Sequence, residues 1–169
     1  GGYDFDRNEF NVVTQGCRQP GSVFKPVVYS KALDMRNPPS LLLDCAPITI
    51  YDPYRKTNYK PDNFGGESCG EVIMSEALKN SLNIPALKLM QKVGEYNAVQ
   101  WAKQLGLTTE LQAVPALVLG ANCVKQDEIS DVYGTFALHG EKPKHTFIRR
   151  VIDREGHYLQ DNTSFYDPF

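Results

Sequence analysis

Cys-x-x-Cys pairs, long apolar runs and a charge excess are all missing from this chain of 169 residues. Three histidines and no Cys-x-x-Cys pair leave a zinc centre without a ligand set. A net charge of -2 supplies no basic surface for a phosphate backbone and so argues against a nucleic acid partner. No apolar stretch approaches the length of a membrane span, and no cleavable leader is visible. Internal repeats and low-complexity tracts are absent too. The chain does not open with Met but with Gly-Gly-Tyr-Asp, which reads as a piece excised from a longer parent; missing targeting signals then say nothing of where that parent resides. What is present is an ordinary apolar content and enough length for one domain with its own core.

Cys17, Cys45, Cys69 and Cys123 are scattered along the chain. In an oxidising compartment four thiols allow three full pairings. Cys45 and Cys69 flank one loop-rich segment and form the first candidate pair; buried free thiols are the alternative.

The stretch from Gly1 to Gly21 is polar and glycine-punctuated and reads as extended or looped. Phe24, Val27, Val28, Ala32 and Met35 repeat at near-helical spacing, which predicts a helix from Ser22 to Met35, ended by Asn37-Pro38-Pro39. Residues 40–70 carry Pro47, Pro53, Pro61 and aromatics including Tyr51, Tyr54 and Tyr59. They read as a long loop with one short strand at Pro47–Tyr51, and loops of that length are often functional. Helices are expected over Val72–Lys79, from Pro85 to Val93, over Tyr96–Leu105 with Ala98, Ala102 and Leu105 facing inward and Trp101 at the edge, and over Gln126–His139 with Ile129, Val132, Tyr133 and Phe136 on one face. A strand at Thr146–Asp153, a turn at Arg154–Gly156 and a return strand at His157–Gln160 close the chain.

Chemistry concentrates in Arg18-Gln-Pro-Gly-Ser22-Val-Phe-Lys25-Pro26. A serine hydroxyl keeps its proton at neutral pH and needs a neighbouring base to become a nucleophile. Positions i and i+3 of a helix share a face, so Ser22 and Lys25 bring an amine beside a hydroxyl within one turn. Ser81-Leu82-Asn83 falls in a break between two helices. Its hydroxyl and amide could face a cleft, or could cap the following helix for purely local reasons. His139, His145 and His157 form no spaced cluster, and Asp34, Asp44 and Asp52 have no partner at catalytic spacing.

Together these segments resemble one family. Gly1-Gly2-Tyr3-Asp4-Phe5, Thr14-Gln15 and Arg18 to Pro26 are similar to the nucleophile region of class A penicillin-binding proteins. Tyr59-x-Pro61-x-Asn63 and Glu76 to Ala86 resemble that family's second motif region, Leu119-Gly120-Ala121 and Tyr133 to Gly140 its next helical segment, and Arg150-Val-Ile-Asp153 with Gly156 a further one. The resemblance covers nearly the whole chain in order. It implies a mainly α chain, residues 1–169 of a transpeptidase domain: the helical lobe of the α/β penicillin-binding fold, with a short C-terminal antiparallel β-hairpin and the central five-stranded sheet largely missing. It also implies a peptidoglycan D,D-transpeptidase that is acylated by penicillins. Ser22 would attack the penultimate D-Ala carbonyl of a stem peptide and Lys25 would accept its proton. Ser81 would relay that proton toward the leaving D-Ala, while Asn83 would donate to the substrate and help fix Lys25. The expected partners are peptidoglycan stem peptides and β-lactams. No metal or organic cofactor is implied. The parent is expected to carry a glycosyltransferase domain and a membrane anchor, at the periplasmic or extracytoplasmic face.

Two departures stand out. The family's third motif, Lys-Thr/Ser-Gly, is absent, since Lys56-Thr57 is followed by Asn58. Without that strand's cation and oxyanion donor the isolated chain is expected to be weak or inactive. Cys17, just upstream of Ser22, is the second. A serine β-lactamase or penicillin sensor is one alternative, although no loop clearly offers a carboxylate-activated water. A catalytically incomplete scaffold with an exposed apolar surface is the other.

Overall fold

Prolines and glycines cut the chain into short elements, which the computed structural model describes over residues 4–52, 56–62, 70–143 and 146–162. Strand β1 (Cys17–Arg18) leads to a 3-10 turn at Gly21–Phe24 that runs directly into helix α1 (Lys25–Asp34). Pro26 stands in the first turn of α1, where its missing N–H removes no helical hydrogen bond. The helix expected from Ser22 is thus built in two pieces: a tight turn carrying the serine and an α-helix carrying the lysine.

The proline-rich stretch holds more structure than a loop. It contains strands β2 (Leu42–Asp44), β3 (Ile50–Asp52) and β4 (Thr57–Tyr59), and β5 (Glu71–Ile73) follows it. β2 pairs with β5, Leu43 opposite Val72, and β3 pairs with β4, Tyr51 opposite Asn58, both antiparallel. The strand expected at Pro47–Tyr51 is shifted to Ile50–Asp52, consistent with a proline that has no N–H to give a ladder. The helix expected from Val72 begins at Met74 as α2 (Met74–Lys79), because the β-branched Val72 and Ile73 pair with β2 instead. Met74 N–H donates to the Leu41 carbonyl at 2.8 Å and Ser75 N–H to that of Pro39 at 3.0 Å, pinning the start of α2.

Helices α3 (Asn83–Val93) and α4 (Glu95–Leu105) follow, then a 3-10 turn at Pro115–Leu119, strand β6 (Val124–Lys125) and helix α5 (Gln126–Ala137). α5 ends short of the expected His139, whose φ of 54° is not helical. The C-terminal hairpin consists of β7 (Arg150–Ile152) and β8 (Tyr158–Asp161), both shorter or later than the sequence spacing predicts. β1 pairs with β6, and all four strand pairs are two-stranded and antiparallel. The described residues therefore form a mainly helical body with short strand pairs and no larger sheet, as the resemblance implies.

The core lies where α1, α3 and α4 meet. Phe24, Val27, Val28 and Ala32 pack against Leu87, Met90 and Val93 and against the predicted α4 stripe of Ala98, Ala102 and Leu105. Trp101 sits at the edge, donating from its ring nitrogen to Ser30 Oγ at 2.8 Å, with the Lys31 ammonium 4.8 Å from a ring centroid. On α5, Val132 is buried, Ile129 and Phe136 are partly buried, and Tyr133 is exposed.

Cys17 and Cys123 form a disulfide with a Cα–Cα distance of 5.3 Å, beside the Arg18–Val124 pair of β1 and β6. This overturns the reading of free thiols: no described cysteine is free, and Cys45 is disulfide-bonded as well. The Cys45–Cys69 pairing lies outside the described residues, as Cys69 does. Asp34 pairs with Lys31 at 2.5 Å, and Asp44 pairs with Lys88 from α3.

Candidate active site

Lys25 is the first residue of α1 and is 1% exposed, an extreme position for a lysine. Its amine is not stranded. Nζ donates to the Ser81 carbonyl at 2.6 Å and to Asn83 Oδ1 at 2.9 Å, and lies 3.1 Å from Ser81 Oγ. All three are neutral oxygens, so none of these partners holds the proton on by charge. Burial disfavours the ammonium and lowers the pKa from 10.5 to about 8.

The donor inventory sharpens the picture. A carbonyl oxygen and an amide oxygen can only accept, so two N–H bonds of Lys25 are committed to Ser81 O and Asn83 Oδ1. A hydroxyl can accept or donate, so Ser81 Oγ is compatible with either protonation state of the amine.

Ser81 and Asn83 reach this position through the break between α2 and α3. Ser81 N–H closes α2 onto the Leu78 carbonyl at 2.9 Å, and Ser81 adopts φ 53°, a left-handed conformation costly for any residue with a Cβ. The reading of Ser81 and Asn83 as caps of α3 does not hold. The N-cap is Leu82, with no side-chain capping bond, and Asn83 is already helical. Their polar groups go to Lys25 instead. Asn83 Nδ2 also donates to the Asp62 carbonyl at 3.0 Å, which ties the segment after β4 to the site. Residue spacing gave no sign of this contact. The resemblance did single out Tyr59-x-Pro61-x-Asn63, of which Asn63 lies outside the described residues.

Ser22 lies in the 3-10 turn. Its carbonyl accepts the Lys25 N–H, and in 3-10 geometry residues three apart stand one above the other. Ser22 is exposed and Lys25 buried, three residues apart in the chain. The Ser22 hydroxyl makes no hydrogen bond among the described residues. The structure accordingly brings Lys25, Ser81 and Asn83 into direct contact, with Ser22 one turn away at the surface. Lys56 directly precedes β4, which Thr57 opens. His157 contacts Asp153 at 3.1 Å on the C-terminal hairpin, and His145 lies outside the described residues.

Such a constellation can do acyl transfer: an accessible hydroxyl, a sealed amine of lowered pKa, and a second hydroxyl in contact with that amine. Comparison with known proteins points the same way. The family model described as penicillin binding protein transpeptidase domain matches residues 2–114. The chain is 36% identical over 163 residues to penicillin-binding protein 2D of Bacillus subtilis (strain 168), covering 96% of this chain and 24% of that protein. It is 33% identical over 160 residues to penicillin-binding protein 1A of Pseudomonas aeruginosa, covering 94% of this chain and 20% of that one. Penicillin-binding protein 1A from Haemophilus influenzae superimposes with a TM-score of 0.85 at 28% identity, over 95% of this chain and 24% of that structure. PonA1 from Mycobacterium tuberculosis, solved in complex with penicillin V, gives 0.75 at 27% identity, over 91% and 43%. The chain thus spans about a quarter or less of the length of these curated relatives.

Proposed function

We propose, since the chain belongs to the family of penicillin-binding protein transpeptidase domains, that Ser22 is the nucleophile of a D,D-transpeptidase that cross-links peptidoglycan and is acylated by penicillins. Neutral Lys25 takes the Ser22 proton as Oγ attacks the penultimate D-Ala carbonyl of a stem peptide. The carbonyl electron pair moves to oxygen, then returns to expel the terminal D-Ala. Its amine receives the proton from the Lys25 ammonium through Ser81. The amine of a neighbouring stem peptide attacks the resulting ester, and Ser22 recovers its proton as the cross-link forms. Asn83 fixes Lys25 through Oδ1 and donates to the substrate's peptide carbonyl. The scheme needs no metal or organic cofactor.

One observation carries this reading: the buried Lys25 amine held by Ser81 and Asn83. A lysine in water is ammonium at pH 7 and cannot take a proton. With a pKa near 8, about a tenth of it is neutral at pH 7. An extracytoplasmic location, with a membrane anchor and a glycosyltransferase domain on the same polypeptide, belongs to the proposal. The Cys17–Cys123 disulfide supports that location, because such bonds persist in oxidising compartments. No helix among the described residues is long and apolar enough to cross a membrane. The 169 residues alone, without a Lys-Thr/Ser-Gly strand, should acylate weakly, since losing even one oxyanion donor costs roughly a hundred- to a thousandfold.

The test is covalent labelling of the protein as its source cell makes it. Fluorescent penicillin should form a lasting adduct on the Ser22 peptide, located by mass spectrometry, and Ser22→Ala should abolish it. Undiminished labelling of Ser22→Ala overturns the assignment. Fast release of hydrolysed penicillin without a lasting adduct reassigns the chain to the β-lactamases.

A further inference from the structure

We propose that Tyr133 and Gly120 are positioning residues that hold the Ser22 turn above Lys25, an inference that rests on Ser22 being the nucleophile. The Ser22 side chain has no hydrogen bond of its own among the described residues, so its placement depends on the backbone of its turn. That backbone is gripped by segments distant in sequence. On one side, Gly120 lies flat against Gly21. A Cβ on Gly120 would fall 2.3 Å from Gly21 N, 2.3 Å from Gly21 O and 2.6 Å from Gly21 Cα, so only hydrogen fits there. Gln19 reinforces the contact by donating from Nε2 to the Ala121 carbonyl at 2.7 Å. On the other side, Tyr133 of α5 donates its hydroxyl to the Val23 carbonyl at 2.9 Å. The Tyr133 ring is steadied edge-on by Phe136, with centroids 6.0 Å apart. The residues before and after Ser22 are therefore each fixed to the 119–133 region, and the Cys17–Cys123 disulfide ties the same two segments upstream.

A positioning role predicts a loss in the chemical step and none in prior binding. In the protein as its source cell makes it, acylation by fluorescent penicillin is resolved into a noncovalent dissociation constant and an acylation rate constant. Tyr133→Phe removes only the donor and should slow acylation about fivefold, the worth of one ordinary hydrogen bond, with the dissociation constant unchanged. Gly120→Ala should slow it about a hundredfold, the scale of a displacement near 1 Å. Gly106→Ala is the control. Gly120 has a φ of 73° and Gly106 a φ of 116°, both left-handed, but a Cβ on Gly106 meets nothing within 4 Å. It should carry the backbone strain and keep the wild-type acylation rate constant. The proposal is overturned if Tyr133→Phe acylates at the wild-type rate, if its loss lies wholly in the dissociation constant, or if Gly106→Ala slows acylation as much as Gly120→Ala. Should Gly120→Ala fail to fold, Tyr133→Phe alone decides. Labelling of Ser22→Ala separates the two claims: if it persists, the nucleophile assignment falls; if it vanishes while Tyr133→Phe behaves as wild type, only this inference does.

Discussion

Lys25 and the hairpin of β7 and β8 stand at opposite ends of one scale. The lysine is 1% exposed, in a turn and helix whose Phe24, Val27 and Val28 are fully buried, and has an oxygen for each proton of its ammonium. Every residue of β7 and β8 is exposed, Leu159 at 68%. The hairpin is held by its own ladder, by an exposed Arg150–Asp161 ion pair at 3.4 Å, and by Arg150 lying 5.3 Å from the Tyr158 ring centroid. An exposed pair of that kind contributes little, and an isolated two-stranded hairpin is marginal in water. The difference teaches where the fold can sustain a perturbed group. A buried amine needs an apolar surround to lower its pKa and fixed acceptors to satisfy its protons, and among the described residues Lys25, between the start of α1 and the start of α3, has both.

The largest effect should follow from removing the amine. Lys25→Met keeps the bulk and discards the base, so acylation should fall by about 10²- to 10⁴-fold, the usual span for a general base. The variant should still fold, because the desolvation cost of the amine goes with it. Penicillin acylation kinetics on wild type and variant measure this. A loss below tenfold would break the link between burial and chemistry.

The same burial makes a pH prediction of known sign. The folded pKa of Lys25 is near 8 against an ordinary 10.5. The folded state therefore favours the neutral amine, and this contribution to stability is complete above about pH 10.5 and lost as pH falls to 8. Unfolding free energy should rise by up to about 3 kcal/mol across that window in wild type, and Lys25→Met should not show the rise. Tyr29 opposes it above pH 10, since burial raises its phenol and only the unfolded chain ionises there. Denaturant titrations of both proteins at successive pH values isolate the lysine by difference. Acylation should likewise climb with pH and level off above about 8.

What was legible in the sequence is what is local. Ala98, Ala102 and Leu105 follow helical spacing and are buried; Ser22 and Lys25 sit one turn apart because three residues make one turn. The contacts that assemble the site are not local. Lys25 meets Ser81 at a separation of 56 residues, Tyr133 meets Val23 at 110, and Cys17 joins Cys123 at 106. No periodicity encodes such pairs. Only the resemblance linked Ser22 and Lys25 to Ser81 and Asn83, and it did not reach Tyr133 as a contact of the serine turn. The β2–β5 and β3–β4 pairings escaped for another reason: these strands are three residues each, too short for alternation to register.

One substitution made in both regions sharpens the contrast and carries the smallest expected effect at its exposed end. Leu87 of α3 is fully buried, and Leu87→Ala should cost about 2–5 kcal/mol, transfer and cavity terms together. Leu159→Ala removes the same atoms from a side chain already mostly in water, and should change stability by no more than about 0.5 kcal/mol. Equilibrium unfolding of the two variants gives the ratio directly. The informative outcome is a large loss at Leu159. Phe147, Ile148, Ile152 and Tyr158 are exposed as well, so a cost near that of Leu87 would mean that Leu159 is covered in solution by another surface. Then the hairpin would be a packed element after all, and the contrast with Lys25 would be one of partners and not of burial.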